Sequence, residues 1–203
     1  YIMQAGDDNM LIGLMGKSGS GKTTIGYLFK ELDTKIQVIE IDKIGHESHN
    51  DPGVQKKLIE YFPKKVFNED LSVNRKALSN IVFNDSEMMK KLYDATKDFM
   101  EQRIDELIKE SDITILDYAL LPKTKFFDLC DVRILVTTPY LMRSKRVIQR
   151  DNISSKKYDE IDSNSIDYDV NQFDYVVENN FDINTLRKAI GDIYEKSIVS
   201  SKF

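Results

Sequence analysis

Apolar residues in this chain fall into short unbroken runs, separated by longer stretches in which they recur every three or four positions. The run Met10-Leu-Ile-Gly-Leu-Met15 is closed by a glycine and followed by a stretch of helical length, 22–32. Unbroken apolar runs bounded by turn residues read as strands buried on both faces, as in a parallel sheet. Ile36-Gln-Val-Ile-Glu-Ile41 is a second such run, Ile113-Thr-Ile-Leu-Asp117 a third, Val132-Arg-Ile-Leu-Val136 a fourth, and the shorter Tyr175-Val-Val177 a fifth. Strands alternating with helices predict an α/β fold: a five-stranded parallel sheet with right-handed crossovers and helices on both faces, a three-layer sandwich.

The alternation breaks over 51–109, which reads as three helical segments near 52–62, 74–84 and 86–109 with no strand between them. There Leu58, Phe62 and Val66, and later Met89, Leu92, Ala95 and Phe99, keep three- and four-residue spacing, the core stripes of an inserted helical lobe. The stretch 152–171 is polar and acidic (Asp159, Glu160, Asp162, Asp167, Asp169) and reads as a solvated mobile lid or a plain surface helix. An amphipathic helix near 183–198 follows the fifth strand. Residues 1–9 show no periodicity and read as an upstream extension with no assigned role. The expected partition is therefore a core formed by 10–50 and 110–203, with a lid at about 143–171, and a lobe over 51–109.

Composition narrows the function. A length of 203 residues suits one compact domain with an inserted lobe. Hydrophobic residues at 41%, with nine Gly and four Pro, are globular proportions rather than those of a disordered or collagenous chain. The formal charge of −5 excludes a surface-wide basic field for nucleic acid but leaves room for a local basic pocket. A single cysteine, Cys130, cannot form an intrachain disulfide; this fits a reducing compartment and excludes Cys-rich zinc sites. With His46 and His49 the sole histidines, a His-based metal site is not expected either. No apolar run approaches the roughly 20 residues of a membrane span, and the polar start is unlike a signal peptide, so the expected location is cytoplasmic. Nothing in the pattern specifies the oligomeric state.

Gly16-Lys-Ser-Gly-Ser-Gly-Lys-Thr23 satisfies G-x-x-x-x-G-K-[ST], the phosphate-binding loop, and lies where that loop must lie, between a strand and a helix. The resulting fold expectation is the P-loop NTPase type. Gly16, Gly19 and Gly21 let successive backbone N–H groups turn toward a phosphate, and the helix N-terminus at Lys22, Thr23 and Thr24, with Ser20 before it, adds partial positive charge. Lys22 neutralises β/γ-phosphate charge of ATP and the Thr23 hydroxyl ligates Mg²⁺. A plain glycine turn, or a nucleotide loop without catalysis, are the bland alternatives.

Two acids end strands on the edge where α/β sheets bind ligands. Asp42 is the candidate general base, with a helix N-cap as the structural alternative. Asp117 is placed either to hold Mg²⁺ through water or in a purely structural role. Arg143, Arg146 and Arg150 recur at helical spacing, with Lys145 beside them. They form either a solvated basic face or a lid helix that presents arginines to a triphosphate.

Over roughly 11–190 the chain resembles the dephospho-coenzyme A kinase family. Glu40-Ile-Asp-Lys-Ile-Gly-His-Glu47 followed by Asp51-Pro-Gly53 is similar to the family's Asp-Ala-Asp-x-(Ile/Leu)-x-x-Glu…Pro-Gly stretch, which sets Asp42 on the family's catalytic aspartate. Asn74-Arg-Lys-Ala-Leu78 and Ile81-Val-Phe-Asn-Asp85 resemble its lobe signature, Arg146-x-x-x-Arg150-Asp151 its lid motif, and Tyr175-Val-Val-Glu-Asn179 its late Asp-x-Val-Ile-x-Asn strand. The resemblance implies ATP-dependent phosphorylation of the ribose 3′-hydroxyl of dephospho-coenzyme A, with Arg146 and Arg150 closing over the triphosphate. Arg75 either anchors that acceptor or makes a surface salt bridge. The chain departs from the family at Lys97-Asp98, where His-Pro is usual, and at Ala119, Pro122 and Lys123 in the stretch after the third strand. The usual lid glutamine is missing near Asn164. These departures motivate a rival acceptor, a nucleoside or nucleotide, and a second rival, a non-catalytic nucleotide-binding protein.

Overall fold

A computed structural model describes residues 9–83, 85–180 and 182–200. The expected extension therefore lies outside the described residues except for Asn9, as does Asn84 of the lobe signature. Five strands, β1 (Met10–Met15), β2 (Gln37–Glu40), β3 (Ile113–Asp117), β4 (Val132–Thr137) and β5 (Tyr175–Glu178), form one sheet in the order β2-β3-β1-β4-β5. Every neighbouring pair is parallel, as the unbroken apolar runs predict. The helices are α1 (Lys22–Leu32), α2 (Ile41–Glu47), α3 (Pro52–Tyr61), α4 (Arg75–Val82), α5 (Ser86–Ile108), α6 (Phe126–Leu129), α7 (Tyr140–Asp151), α8 (Ser155–Ser163) and α9 (Ile183–Tyr194).

Alternate residues of the strands go to opposite faces. Ile12, Leu14, Ile113, Ile115, Ile134 and Val136 pack against Ile25, Leu28 and Phe29 of α1 and Leu186, Ile190 and Ile193 of α9. The other face is closed by the turn after β3 and by α6. A Cβ built at Gly13 would stand 2.9 Å from Leu121 Cδ2 and 3.0 Å from Cys130 Sγ, so a larger residue there would push these side chains aside. Because β3 pairs on one side of β1 and β4 on the other, the chain's two halves grow outward from β1, and ligands of such sheets bind at the carboxyl ends of the strands.

The chain divides into two compact units: one made of the chain up to Glu40 and from Leu107 onward, the other of Ile41–Glu106. The helical unit begins earlier than the 51 expected from the pattern, because β2 stops at Glu40 and α2 starts at the next residue. Asp42 accordingly does not end a strand; it lies in the first turn of α2. The core of this unit joins Val54 and Leu58 of α3, Phe62 just after it, Leu78 and Val82 of α4, and Ala95 of α5. Asp51 caps α3 by accepting from Val54 N–H at 2.9 Å, and Asn74 caps α4 by accepting from Ala77 N–H at 3.0 Å.

The acidic stretch is more ordered by packing than its composition predicts. Tyr158 of α8 is fully buried, and its hydroxyl accepts from Arg143 Nη1 at 2.9 Å. Arg143 also binds Asp162 and donates from Nε to the Thr138 carbonyl at 2.9 Å. Tyr158 and Arg143, together with Tyr140 of α7, which donates to Asp159 of α8 and packs on the Tyr158 ring, thus fix α8 to α7.

Candidate active site

The loop expected to cradle phosphate leaves β1 at Met15 and enters α1 at Lys22. Gly21 is the N-cap of α1, in the left-handed conformation at φ 94°, and no side chain caps this helix. A Cβ at Gly21 would lie 2.1 Å from Asn179 Nδ2, so both conformation and space demand glycine. The N-terminal N–H groups of α1 are consequently left for an anion, supported by the helix dipole.

The loop is pinned from behind through its carbonyls. Asn179 Nδ2 donates to the Ser20 carbonyl at 2.8 Å, and the Thr138 hydroxyl stands 3.0 Å from the same oxygen. Arg146 Nη1 donates to the Gly19 carbonyl at 3.1 Å. All of these donors come from the chain after β4 and β5, so the loop's conformation is set by the neighbouring half of the sheet. Among the described residues, the buried Ser20 Oγ has no hydrogen-bond partner.

In front of the loop, Lys22 Nζ donates to the Gly16 carbonyl at 3.2 Å and stands 3.8 Å from Asp117 Oδ1. The Thr23 hydroxyl donates to Asp117 Oδ2 at 3.2 Å. The structure therefore brings together three of the residues singled out in the sequence, Lys22, Thr23 and Asp117. Asp117 is buried and last in β3, where the ladder with Leu14 fixes it. Beside the loop, Gly21, Thr24, Arg146, Asn179, Ile183 and Leu186 line a cavity of about 280 Å³. Its mixture of two aliphatic side chains, a guanidinium and an amide suits a planar, partly polar group of the size of a nucleobase.

The three arginines of α7 have three different fates. Arg143 is spent in the buried contacts with Thr138, Tyr158 and Asp162, Arg146 reaches the loop, and Arg150 holds the adjacent Asp151 at 2.7 and 2.8 Å on the exposed side. The Arg150 hydrogen bond keeps the Asp151 carboxyl below its ordinary range. Asp42 and Arg75 belong to the helical unit, Asp42 in the first turn of α2 and Arg75 as the exposed first residue of α4. Burial, then the charges of His46 and Arg75, push the His49 imidazole down to about 4. Of the departures from the family, Lys97 stands 3.8 Å from Glu101 within α5 and Asp98 stands 3.5 Å from Lys57 of α3, and α5 runs unbroken where a proline would interrupt it.

Three contributors to the site were not singled out in the sequence: Thr138, Tyr168 and, as a loop anchor, Asn179. Tyr168 accepts from the Gly16 N–H at 3.2 Å, across 152 residues of chain. No local spacing rule reports such a contact. Among the described residues, no helix is long and apolar enough to cross a membrane.

A sequence model of dephospho-CoA kinase matches residues 10–185. The dephospho-CoA kinase of Aquifex aeolicus is 29% identical over 191 residues, covering 91% of this chain and 96% of the relative. That of Prochlorococcus marinus strain NATL2A is 32% identical over 195 residues, covering 91% and 90%. A Thermus thermophilus protein of known structure shares the fold with a TM-score of 0.78 at 21% identity, over 93% of this chain and 97% of that one. With the phosphate loop facing Asp117 across the carboxyl edge of the sheet and this match along most of its length, the chain belongs to the dephospho-CoA kinase family.

Proposed function

We propose that this protein transfers the γ-phosphoryl group of ATP to the ribose 3′-hydroxyl of dephospho-coenzyme A, the last step of coenzyme A synthesis. The observation that carries the phosphotransferase reading is the approach of Lys22 and Thr23 to the buried Asp117 at the mouth of the loop; membership of the family supplies the acceptor.

The roles follow from charge and placement. Backbone N–H groups of the loop and the open end of α1 hold the phosphates, while Lys22 turns from its present partners to the β/γ oxygens. Arg146, fixed against Gly19, adds charge from the side. Arg150 joins it once a triphosphate outcompetes Asp151. Thr23 Oγ1 and Asp117 Oδ2, 3.2 Å apart, are hard oxygen donors of the kind Mg²⁺ takes together with phosphate oxygens and water. These two residues would hold Mg²⁺, which neutralises charge on the transferring group. Asp42 accepts the proton of the 3′-hydroxyl as its oxygen bonds to phosphorus and the bond to ADP breaks. Arg75 and the helical unit of Ile41–Glu106 bind the acceptor.

The test is phosphate transfer from labelled ATP to dephospho-coenzyme A, adenosine and thymidine in parallel. Dephospho-coenzyme A is expected to give the highest kcat/KM; a nucleoside preferred over it would overturn the acceptor, and no transfer to any would support the non-catalytic reading. Asp42→Asn should lower turnover by about 10²-fold with ATP-analogue affinity retained. A loss below about threefold removes Asp42 from the proton step, since general bases contribute far more than that.

A further inference from the structure

Tyr168 lies in the acidic stretch after α8, yet its phenol reaches the carboxyl edge of the sheet. The Gly16 N–H donates to its oxygen at 3.2 Å, and its hydroxyl donates to the Ala119 carbonyl at 2.8 Å. These two backbone groups sit where β1 and β3 part company. The strands are in register down to Leu14 and Asp117, and the Tyr118 N–H still donates to the Leu14 carbonyl at 3.2 Å. Beyond that point Gly16 turns into the phosphate loop and Ala119 into the turn after Asp117. The phenol adds one side-chain rung past the end of the ladder.

The ring is held for that task. It meets Phe173 edge-on at 5.8 Å, and Phe173 meets Phe127 at 6.0 Å. Burial, together with the nearby Asp117 charge, pushes the phenol up to about 12, so it remains a donor across the neutral range. The adjacent Asp167 pairs with Lys17 at 3.0 Å but is almost fully exposed, an ion pair of a kind that contributes little.

We propose that Tyr168 is a positioning residue for phosphoryl transfer: by clamping Gly16 to Ala119 it fixes the Thr23 hydroxyl, carried by the loop and α1, against the Asp117 carboxylate, carried by β3. This rests on the reading of Thr23 and Asp117 as the pair that holds Mg²⁺. The Gly16 N–H, expected from the motif to face phosphate, is taken by Tyr168, so phosphate is left to the N–H groups further along the loop and to Lys22, none of which bonds to the phenol. Losing the hydroxyl should therefore weaken what depends on both arms of the pair and spare what depends on the loop alone.

Tyr168→Phe removes the hydroxyl and keeps the ring packed on Phe173. A nonhydrolysable ATP analogue is titrated calorimetrically into the full chain with and without Mg²⁺, and steady-state kinetics are measured alongside. The expected result is a loss of about tenfold in the Mg²⁺-dependent gain of affinity, the lower end for removing a group that orients a metal ligand, with metal-free affinity unchanged within about twofold. In kinetics with Mg²⁺ present, the KM for ATP rises by about tenfold, in step with that loss of affinity. Asp167→Ala should leave both readouts at wild-type values. The proposal is overturned if Tyr168→Phe keeps the full Mg²⁺-dependent gain, if metal-free affinity and melting temperature fall along with it, or if Asp167→Ala reproduces the loss. A wild-type chain with no Mg²⁺-dependent gain defeats the Thr23 and Asp117 reading itself; a wild-type gain that Tyr168→Phe preserves defeats the clamp alone.

Discussion

The Ser20 carbonyl offers a quantitative check on how the loop is held. Ser20, Thr138 and Asn179 are all buried. The Thr138 hydroxyl stands within 3.1 Å of three carbonyls, those of Ser20, Thr137 and Asn179, but it has one proton to give. Asn179 Nδ2, at 2.8 Å, is the steadier donor to Ser20, and Thr138 is a reserve. Asn179→Ala should therefore cost about 1 kcal/mol, the net value of one such bond, because the hydroxyl can redirect its proton to Ser20. Thr138→Val should cost a similar amount, since the amide stays in place. The double variant leaves a buried carbonyl with neither donor, which adds the desolvation penalty of an unmade bond, about 1–3 kcal/mol beyond the sum of the singles. For a chain of this size each kcal/mol moves the melting temperature by about 2–4 °C, so each single should fall by about that much and the double by roughly 10 °C. Differential scanning calorimetry on the four proteins closes the cycle. Additivity within about 0.5 kcal/mol, the scatter expected of independent sites, would refute the shared-acceptor argument.

Two further outcomes are expected. Lys22→Ala should abolish transfer to dephospho-coenzyme A and weaken ATP-analogue binding, because it removes the loop's charge for the β/γ-phosphates; unchanged steady-state kinetics would exclude the loop from the chemistry. His49 takes its proton near the ordinary 6.5 when unfolded but only near 4 when folded, so the unfolded chain binds more protons between those values and the stability due to neutral His49 is lost as pH falls from 6.5 toward 4. After discounting for partial solvent screening this amounts to about 1–2 kcal/mol, and His49→Gln should flatten that part of the urea-denaturation profile; a profile as steep as wild type would show that other groups set the acid limb.

The sheet and the phosphate loop were legible because their signals are local. Unbroken apolar runs mark β1 and β3 at their observed ends, and the eight-residue motif specifies its own glycines. Asp117 was legible for the same reason, as the polar residue that stops an apolar run. The start of the helical unit was not, since Ile41 and Asp42 continue the apolar–polar alternation of β2 while the backbone has already turned into α2. Arg143 looked like one of three equivalent arginines; burial among Thr138, Tyr158 and Asp162, contacts made by a tertiary fold, separates it from Arg146 and Arg150. Tyr168 and Asn179 were hidden most completely, because their partners, Gly16 and Ser20, lie 152 and 159 residues away.

The helical unit enters at Ile41 and leaves at Glu106 as one uninterrupted stretch, spliced into a single connection between two strands that are already neighbours in the sheet. Such an arrangement makes the chain separable at the level of inheritance. One contiguous replacement of coding sequence would exchange that whole unit while leaving every residue of the phosphate loop, Asp117 and the loop's anchors untouched. Lineages that share the sheet unit can thus diverge rapidly in this one segment, and a comparison of substitution rates across its two boundaries is where that history would be written.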